Sequence, residues 1–473
     1  MRAARALRHR LIAAAVVLLA GTSARADELA PRDYDAPDPN RGLVNYLRAA
    51  ASVGVVNYLI WQYDWIADKE SIYRVTSRDV FKNPVSGFPF DDDDLNANFF
   101  GHPYSGAMFF GAARSAGLSF WESAPYAFGG SVVWELLGES QKPAVNDVLA
   151  TSLGGVALGE IFYRCSSLSL NDSRTGWARF TREAAAAFIL PTRGLDRIET
   201  GQAWAEGAPP IPKPGRIQLH GGADAVLAGT VRDSQHWNPS AVVAFDATYG
   251  DLLPAEGKTT IPAYDFFDFY GGAILTSQSS EGFVLSELGL LHGWSSDLSG
   301  DEGPGRDNNV IGLVQSGDYQ GANGVEFAAF GLGASDIFVR RNRVGHRFRI
   351  GLEAEYVPVA AVVSSITPFV STTSVRNYNF SMGMSFGLTM RWDMGAVGQL
   401  GFTMREYGTQ VVNGINGNEI FGYSRAWYEV DAIPNWVGVG FAPKFMHFSG
   451  TYSGAHSDTQ TQLSMEVYAT LRL

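Results

Sequence analysis

His447-Phe448-Ser449 is the sharpest chemical feature of the chain. On a β-strand, residues two apart share a face, so an imidazole base and a serine nucleophile would stand side by side, as acyl transfer requires. In the strand phasing below, that face looks toward lipid near an outer rim, and no acid on an adjoining strand completes a triad, because Glu466 falls on the opposite face. A plain hydrogen-bonding pair is the competing reading. A second concentration comprises His102, Glu122, Glu135, Glu139, Asp147 and Glu160, with Arg114 and Arg164, in apolar and glycine-rich surroundings. Glu135 and Glu139 lie four apart and would share a helix face. A histidine with several carboxylates suits a metal or a general acid/base pair; the same groups can instead pair with Arg114 and Arg164 and fix helix packing. No HExxH or paired-cysteine spacing occurs, so no metal or cofactor is expected. Asp91 to Asp94 lack the alternating ligands and turn glycine of an EF-hand and read as a solvated loop.

The elements that must position these groups change character along the chain. Apolar residues recur at three- and four-residue spacing through Arg41–Ile66, and Gly106–Ala116, Phe120–Gly138, Pro143–Arg164 and Trp177–Leu190 are further helical segments, with Pro191 placed where a helix should stop. None is expected to span a membrane, since Asn57 interrupts the first and Asn146, Asp147 and Glu160 the fourth. Four prolines in residues 207–216 then make a stiff spacer. Beyond it the period is two. Phe380, Met382, Met384, Phe386, Leu388, Met390 and Trp392 alternate with Ser381, Gly383, Ser385, Gly387, Thr389, Arg391 and Asp393, and residues 462–473 repeat the pattern.

Such long alternating segments suit transmembrane strands, apolar outside and polar inside. Strands are expected to begin near Ile217, Ala241, Tyr264, Phe283, Asn309, Val325, Arg347, Tyr378, Val397, Phe421, Trp436 and Gln460. These are about twelve. The long connections Asp251–Pro262 and Asp297–Asn308 would then share an end with Leu473, where turns should be short, so one assignment in the first half is expected to be wrong and ten to fourteen strands remain open. The inward face would carry Arg347, Arg349, Glu353, Glu355, Arg391, Asp393, Arg405, Glu466 and Arg472; mixed signs favour ion-pair networks filling the barrel over an open selective pore.

Composition sets the surroundings. Residues 1–26 hold five arginines, an apolar run and Ala24-Arg25-Ala26, a signal peptide too short to span. The remainder carries 31 basic against 48 acidic side chains, which excludes nucleic acid as a partner. The single Cys165 excludes a disulfide and reads as a buried thiol. The expected plan is α+β in two parts: signal peptide 1–26, a periplasmic or lumen-plugging helical domain 27–206, a linker 207–215, and an antiparallel outer-membrane barrel 216–473.

Several motifs carry a resemblance. Phe99-Phe100-Gly101-His102-Pro103-Tyr104, Phe120-Trp121-Glu122-Ser123, Trp134-Glu135, Asn146-Asp147 and Gly155…Gly159-Glu160, with Pro191-Thr192-Arg193-Gly194 and Tyr264-Asp265-Phe266-Phe267, resemble an uncharacterised family of Gram-negative envelope proteins. The resemblance implies a domain of unknown function attached to a barrel-like second half, and no activity. His447-Phe448-Ser449 resembles the His-x-Ser-Asn motif of outer-membrane lipid A deacylases, with Gly450 in place of the Asn. Three functions follow as expectations: binding or transport of a small or lipidic ligand without turnover; hydrolysis of outer-leaflet lipid through His447 and Ser449; or an envelope adaptor whose helical half docks a periplasmic protein.

Overall fold

The structure, a computed structural model, describes residues 30–472 except 68–70, 230–235, 254–257, 277–281, 300–304, 323–324, 364–375, 435 and 455. The expected signal peptide lies outside the described residues. Thirteen strands follow the helices: β1 (Gly215–Gly229), β2 (His236–Tyr249), the two-residue β3 (Thr260–Ile261), β4 (Phe267–Thr276), β5 (Gly282–Asp297), β6 (Arg306–Ala322), β7 (Val325–Arg341), β8 (Arg347–Val363), β9 (Tyr378–Asp393), β10 (Gln399–Asn413), β11 (Gly417–Ile433), β12 (Val437–Tyr452) and β13 (His456–Arg472). All except β3 form one closed antiparallel barrel. Each of the twelve pairs with its sequence neighbours, β5 pairs with both β4 and β6, and β13 returns to β1 from Gln218↔Arg472 to Gly229↔Thr461. Closure leaves no unpaired edge, which a wall facing lipid requires.

All twelve expected strands are present, each within five residues of its expected start. The suspected miscount is therefore corrected. The described residues of the β2–β4 connection (250–253 and 258–266) do lie at the end that holds Gly215 and Arg472, called here the terminal end. There Leu252, Leu253, Ile261 and Phe266 fold into the mouth against the inward-facing Leu290, Val310, Ile337 and Val339, so the long connection is part of the lumen packing. Pro358 lies at the register shift between Val357 and Ala360, where the ladder can lack an N–H donor.

The alternation assigns the faces. Met384, Phe386, Ile420, Phe441, Leu463, Met465 and Val467 stand exposed on the outside, while Ser385, Glu419, Ser464 and Glu466 are buried inside. Toward the far end Phe327, Val357, Val362, Tyr407, Phe421 and Phe448 pack together inside the lumen, with the Phe327 and Phe421 rings stacked at 4.1 Å. Charged groups occupy the middle.

Seven helices precede the barrel among the described residues: α1 (Leu43–Ala67), α2 (Ser77–Lys82), α3 (His102–Ser115), α4 (Phe120–Leu137), α5 (Val145–Ser169), α6 (Gly176–Ile189) and α7 (Pro191–Glu199). Pro191 does not merely stop α6; it takes the first turn of α7, where its missing N–H costs nothing. Ser119 and Glu122 form a capping box that starts α4. Helices α3 and α5 pack backbone to backbone: a Cβ on Gly106 would lie 2.0 Å from the Thr151 carbonyl oxygen, and one on Gly155 would lie 2.5 Å from Gly106 Cα.

The helical unit does not plug the lumen. It leans on the outer face of the wall, because the outward residues of β2 and β4–β9 offer an apolar surface that matches its own. Phe99 stacks on Phe330 at 5.8 Å, and Phe90 meets Phe380 at 4.9 Å. At the far end Asn98 Nδ2 donates to Tyr378 Oη over 2.6 Å; at the terminal end Arg164 pairs with Asp265 at 2.8 Å and Phe120 stacks on Tyr264. Helix α5 thus runs along the whole wall. The proline-rich stretch is extended and pinned beside the N-terminal segment, with Arg32 bridging Pro210.

Candidate functional site

Among the described residues, the outer wall carries an ionisable pair amid apolar neighbours. Glu406 of β10, Gly422 of β11 and His447 of β12 stand in one cross-strand row. Glu406 Oε1 and His447 Nε2 meet at 3.0 Å above the glycine. A Cβ at Gly422 would fall 2.0 Å from Glu406 Oε2 and 2.4 Å from His447 Cε1, so only glycine leaves this path open. Ser449 shares the outward face, about 7 Å along the strand. Next to it on β13, Thr461 opposes His447 and Thr459 opposes Ser449, placing two hydroxyls beside the pair. Met404, Ile420, Phe445 and Leu463 surround the row as exposed apolar side chains.

Sequence reasoning placed His447 and Ser449 and missed Glu406, because it looked for the acid on an adjoining strand. The usable signal was a break in pattern. The outward positions of β10 run Leu400, Phe402, Met404 and then Glu406, an acid where lipid-facing alternation expects an apolar group. Together the three side chains have the composition of a serine hydrolase site: a carboxylate holding one imidazole nitrogen, with a serine two residues along on the same face of the strand.

The helical polar residues do not form one cluster. Arg114 and Glu160 pair at 2.7 Å near the terminal end, where Glu160 also takes Arg164 at 2.8 Å. Glu122 is held separately by Arg41 at 2.7 Å and by Tyr46. At the far end His102 Nε2 lies 3.5 Å from Asp147 Oδ1, and Thr151 hydrogen-bonds the other ring nitrogen. Asn146 ties Asp147, Asn98 and Asp91 together, so at least the first of the four aspartates is a bound partner and not a solvated loop residue. Glu135 accepts from the Ala144 N–H at 2.8 Å. Glu139 lies past the end of α4 and accepts from Trp134 Nε1 at 2.7 Å, so the two glutamates do not share a helix face as expected. Among the described residues no group of His, Cys, Asp or Glu is arranged to hold a metal ion.

Inside the barrel the charges are paired across the lumen. Arg405 reaches Glu355 at 3.0 Å, Asp318 at 3.7 Å and Glu353 at 3.9 Å. Arg349 pairs with Asp268, Arg391 reaches Asp246 at 3.4 Å, and Lys444 bridges Glu466 at 2.7 Å and Asp224 at 3.2 Å. Arg472 meets Glu429 at 2.7 Å, whereas Arg347 and Asp393 sit at the terminal rim. Asp224, Asp246, Asp268, Asp318 and Arg425 were not singled out from sequence, their strands being less regular. Near the terminal mouth lies a cavity of about 310 Å³, lined by Arg216, His220, Asp246, Arg391, Trp427 and Glu429 among others.

Residues 87–192 match the family described as a domain of unknown function, DUF3943. That stretch holds α3 to α6 and the polar residues from His102 to Arg164. Comparison with curated proteins finds no match. Among solved structures the chain is similar to an anion-selective porin from Comamonas acidovorans, at 8% identity over 55% of this chain and 100% of the porin, with a TM-score of 0.21. It is also similar to OmpT, an outer membrane protein of Vibrio cholerae, at 7% identity over 56% of this chain and 100% of that one (TM-score 0.21). A third is the translocator domain of the autotransporter NalP from Neisseria meningitidis, at 12% identity, 62% and 98% coverage and a TM-score of 0.20. The barrel assignment itself stands on the strand pairing.

Proposed function

We propose that this chain is an outer-membrane barrel that hydrolyses acyl esters of membrane lipid at Ser449. The location is supported by the apolar outer band and the expected leader; with the chain ends periplasmic, the Glu406–His447–Ser449 row lies in the outward half of the wall. One observation carries the reading: a glutamate reaches a histidine across a glycine, beside a serine, on a surface where ionisable groups are costly and rare. His447 takes the Ser449 proton as Oγ bonds the ester carbonyl carbon. The imidazolium, held by Glu406, returns that proton to the departing alkoxide as the ester C–O bond breaks. Water then releases the fatty acid from Ser449 by the same sequence. Thr459 and Thr461 stand where hydroxyl donors can meet the oxyanion. A fluorophosphonate probe tests the nucleophile: an adduct mapped to Ser449, and abolished by His447→Ala, is expected. An unlabelled Ser449 in the folded wild type sinks the proposal.

The lumen supports a second reading, binding of a small charged molecule in the cavity near the terminal mouth, where Arg391 and Arg216 face Asp246 and Glu429. Transport through an open pore fits less well, since aromatic side chains cluster inside the far half.

A further inference from the structure

We infer that the helical unit lies inside the bilayer beside the barrel, its outer face covered by lipid acyl chains. The inference rests on the reading of the barrel as a membrane protein and goes beyond it, since the sequence pointed to a periplasmic or plugging domain and to no membrane-spanning helix.

Four observations converge. First, the unit covers the same wall that elsewhere faces lipid, from Tyr378 at the far end to Tyr264 at the terminal end; a body docked there occupies the lipid layer. Second, α1 and α5 are each 25 residues, about 37 Å of helix against a hydrocarbon core of about 30 Å, and both are apolar enough to cross a membrane. The polar residues that seemed to forbid this are turned inward. Asn57 donates to the Val53 and Gly130 carbonyls, and Asp147, Glu160 and Arg164 are buried and partnered.

Third, α1 presents Leu47, Val55, Tyr58, Leu59 and Tyr63 outward, each more than half exposed, and no charged residue occurs between Arg48 and Asp64. A face of this kind in water would be an aggregation patch; continuous with the apolar band of the barrel, it is a lipid-facing surface. Fourth, tryptophans mark one level. Trp294, Trp392 and Trp436 are exposed at the terminal end of the barrel, and Trp121 at the start of α4 and Trp177 at the start of α6 are exposed at the same end of the helical unit. Interfacial belts of Trp do this at a membrane boundary.

Site-directed spin labelling in phosphatidylcholine vesicles tests the inference. In a Cys165→Ala background, single nitroxides are placed through Val55→Cys on α1, Phe386→Cys on the barrel wall and Val344→Cys in the exposed β7–β8 turn, with Leu59→Cys replacing any α1 variant that loses heat-modifiable gel mobility. Expected are labels at Val55 and Phe386 that dissolved oxygen relaxes and a nickel chelate does not, with the reverse at Val344. Nickel relaxation at Val55 while Phe386 stays shielded overturns the inference and leaves the barrel reading intact. Nickel relaxation at Phe386 overturns both. A Val55 label shielded from oxygen and nickel alike shows a protein neighbour, such as a second copy, in place of lipid, and also overturns it.

Discussion

Glu406 and His447 belong to strands that do not touch, yet their side chains meet at 3.0 Å because the residue between them, Gly422, has no side chain. Two strands must present outward side chains at the same level, and the strand between must leave that level empty. Replacing Gly422 with valine should separate the pair while the barrel still closes, since the side chain points outward into lipid. The expected outcome is unchanged heat-modifiable mobility and a loss of acyl hydrolysis of about a thousandfold or more. Full activity in Gly422→Val would mean that the contact has no catalytic role.

The helical unit depends on the approach of α3 to α5. A valine at Gly155 would drive its side chain into the Gly106 backbone, and backbone yields poorly. Helical circular dichroism should be lost at a lower temperature, corresponding to about 3 kcal/mol, with the strand signal persisting. A melt indistinguishable from wild type would contradict the packing described.

Ion pairs inside and outside should differ in weight. Lys444→Met leaves Glu466 and Asp224 buried without their shared cation, so the midpoint of barrel unfolding should fall by the equivalent of about 3–5 kcal/mol. Arg340→Ala removes an exposed partner of Asp307 and should cost under about 1 kcal/mol. Urea unfolding of the two variants side by side decides it; equal effects would argue against the paired interior.

The aromatic packing in the lumen has an electrical consequence. Phe327, Tyr407, Phe421 and Phe448 cluster inside the far half and narrow it, so planar bilayers containing the refolded chain should show no sustained open-channel current. Stable ohmic steps would require this packing to move aside.

Much of the barrel was legible because period-two alternation is local: the apolar run from Phe380 to Trp392 states its own face, and twelve such segments gave twelve strands. The suspected miscount arose from loop length, a weak constraint once Leu252, Leu253, Ile261 and Phe266 fold into the mouth. The helical unit was read correctly as helices, and of the two placements expected for it the packing on outward-facing residues speaks only against the plug. Asn57, Asp147 and Glu160 look prohibitive in a linear reading, and only packing shows that each is turned inward and partnered. Glu406 was missed for a related reason, since a contact across a skipped strand depends on register and not on spacing. The acids were expected as one group that could pair with Arg114 and Arg164; Glu160 takes both arginines, while His102 and Glu122 lie at opposite ends of the bundle.

The most direct measurement is fatty-acid release from outer-membrane lipid vesicles by the refolded chain, followed by mass spectrometry, with Ser449→Ala beside the wild type. Free fatty acid and the matching deacylated lipid are expected from the wild type, and only background from Ser449→Ala. Equal yields from both, or none from a folded wild type, would contradict it.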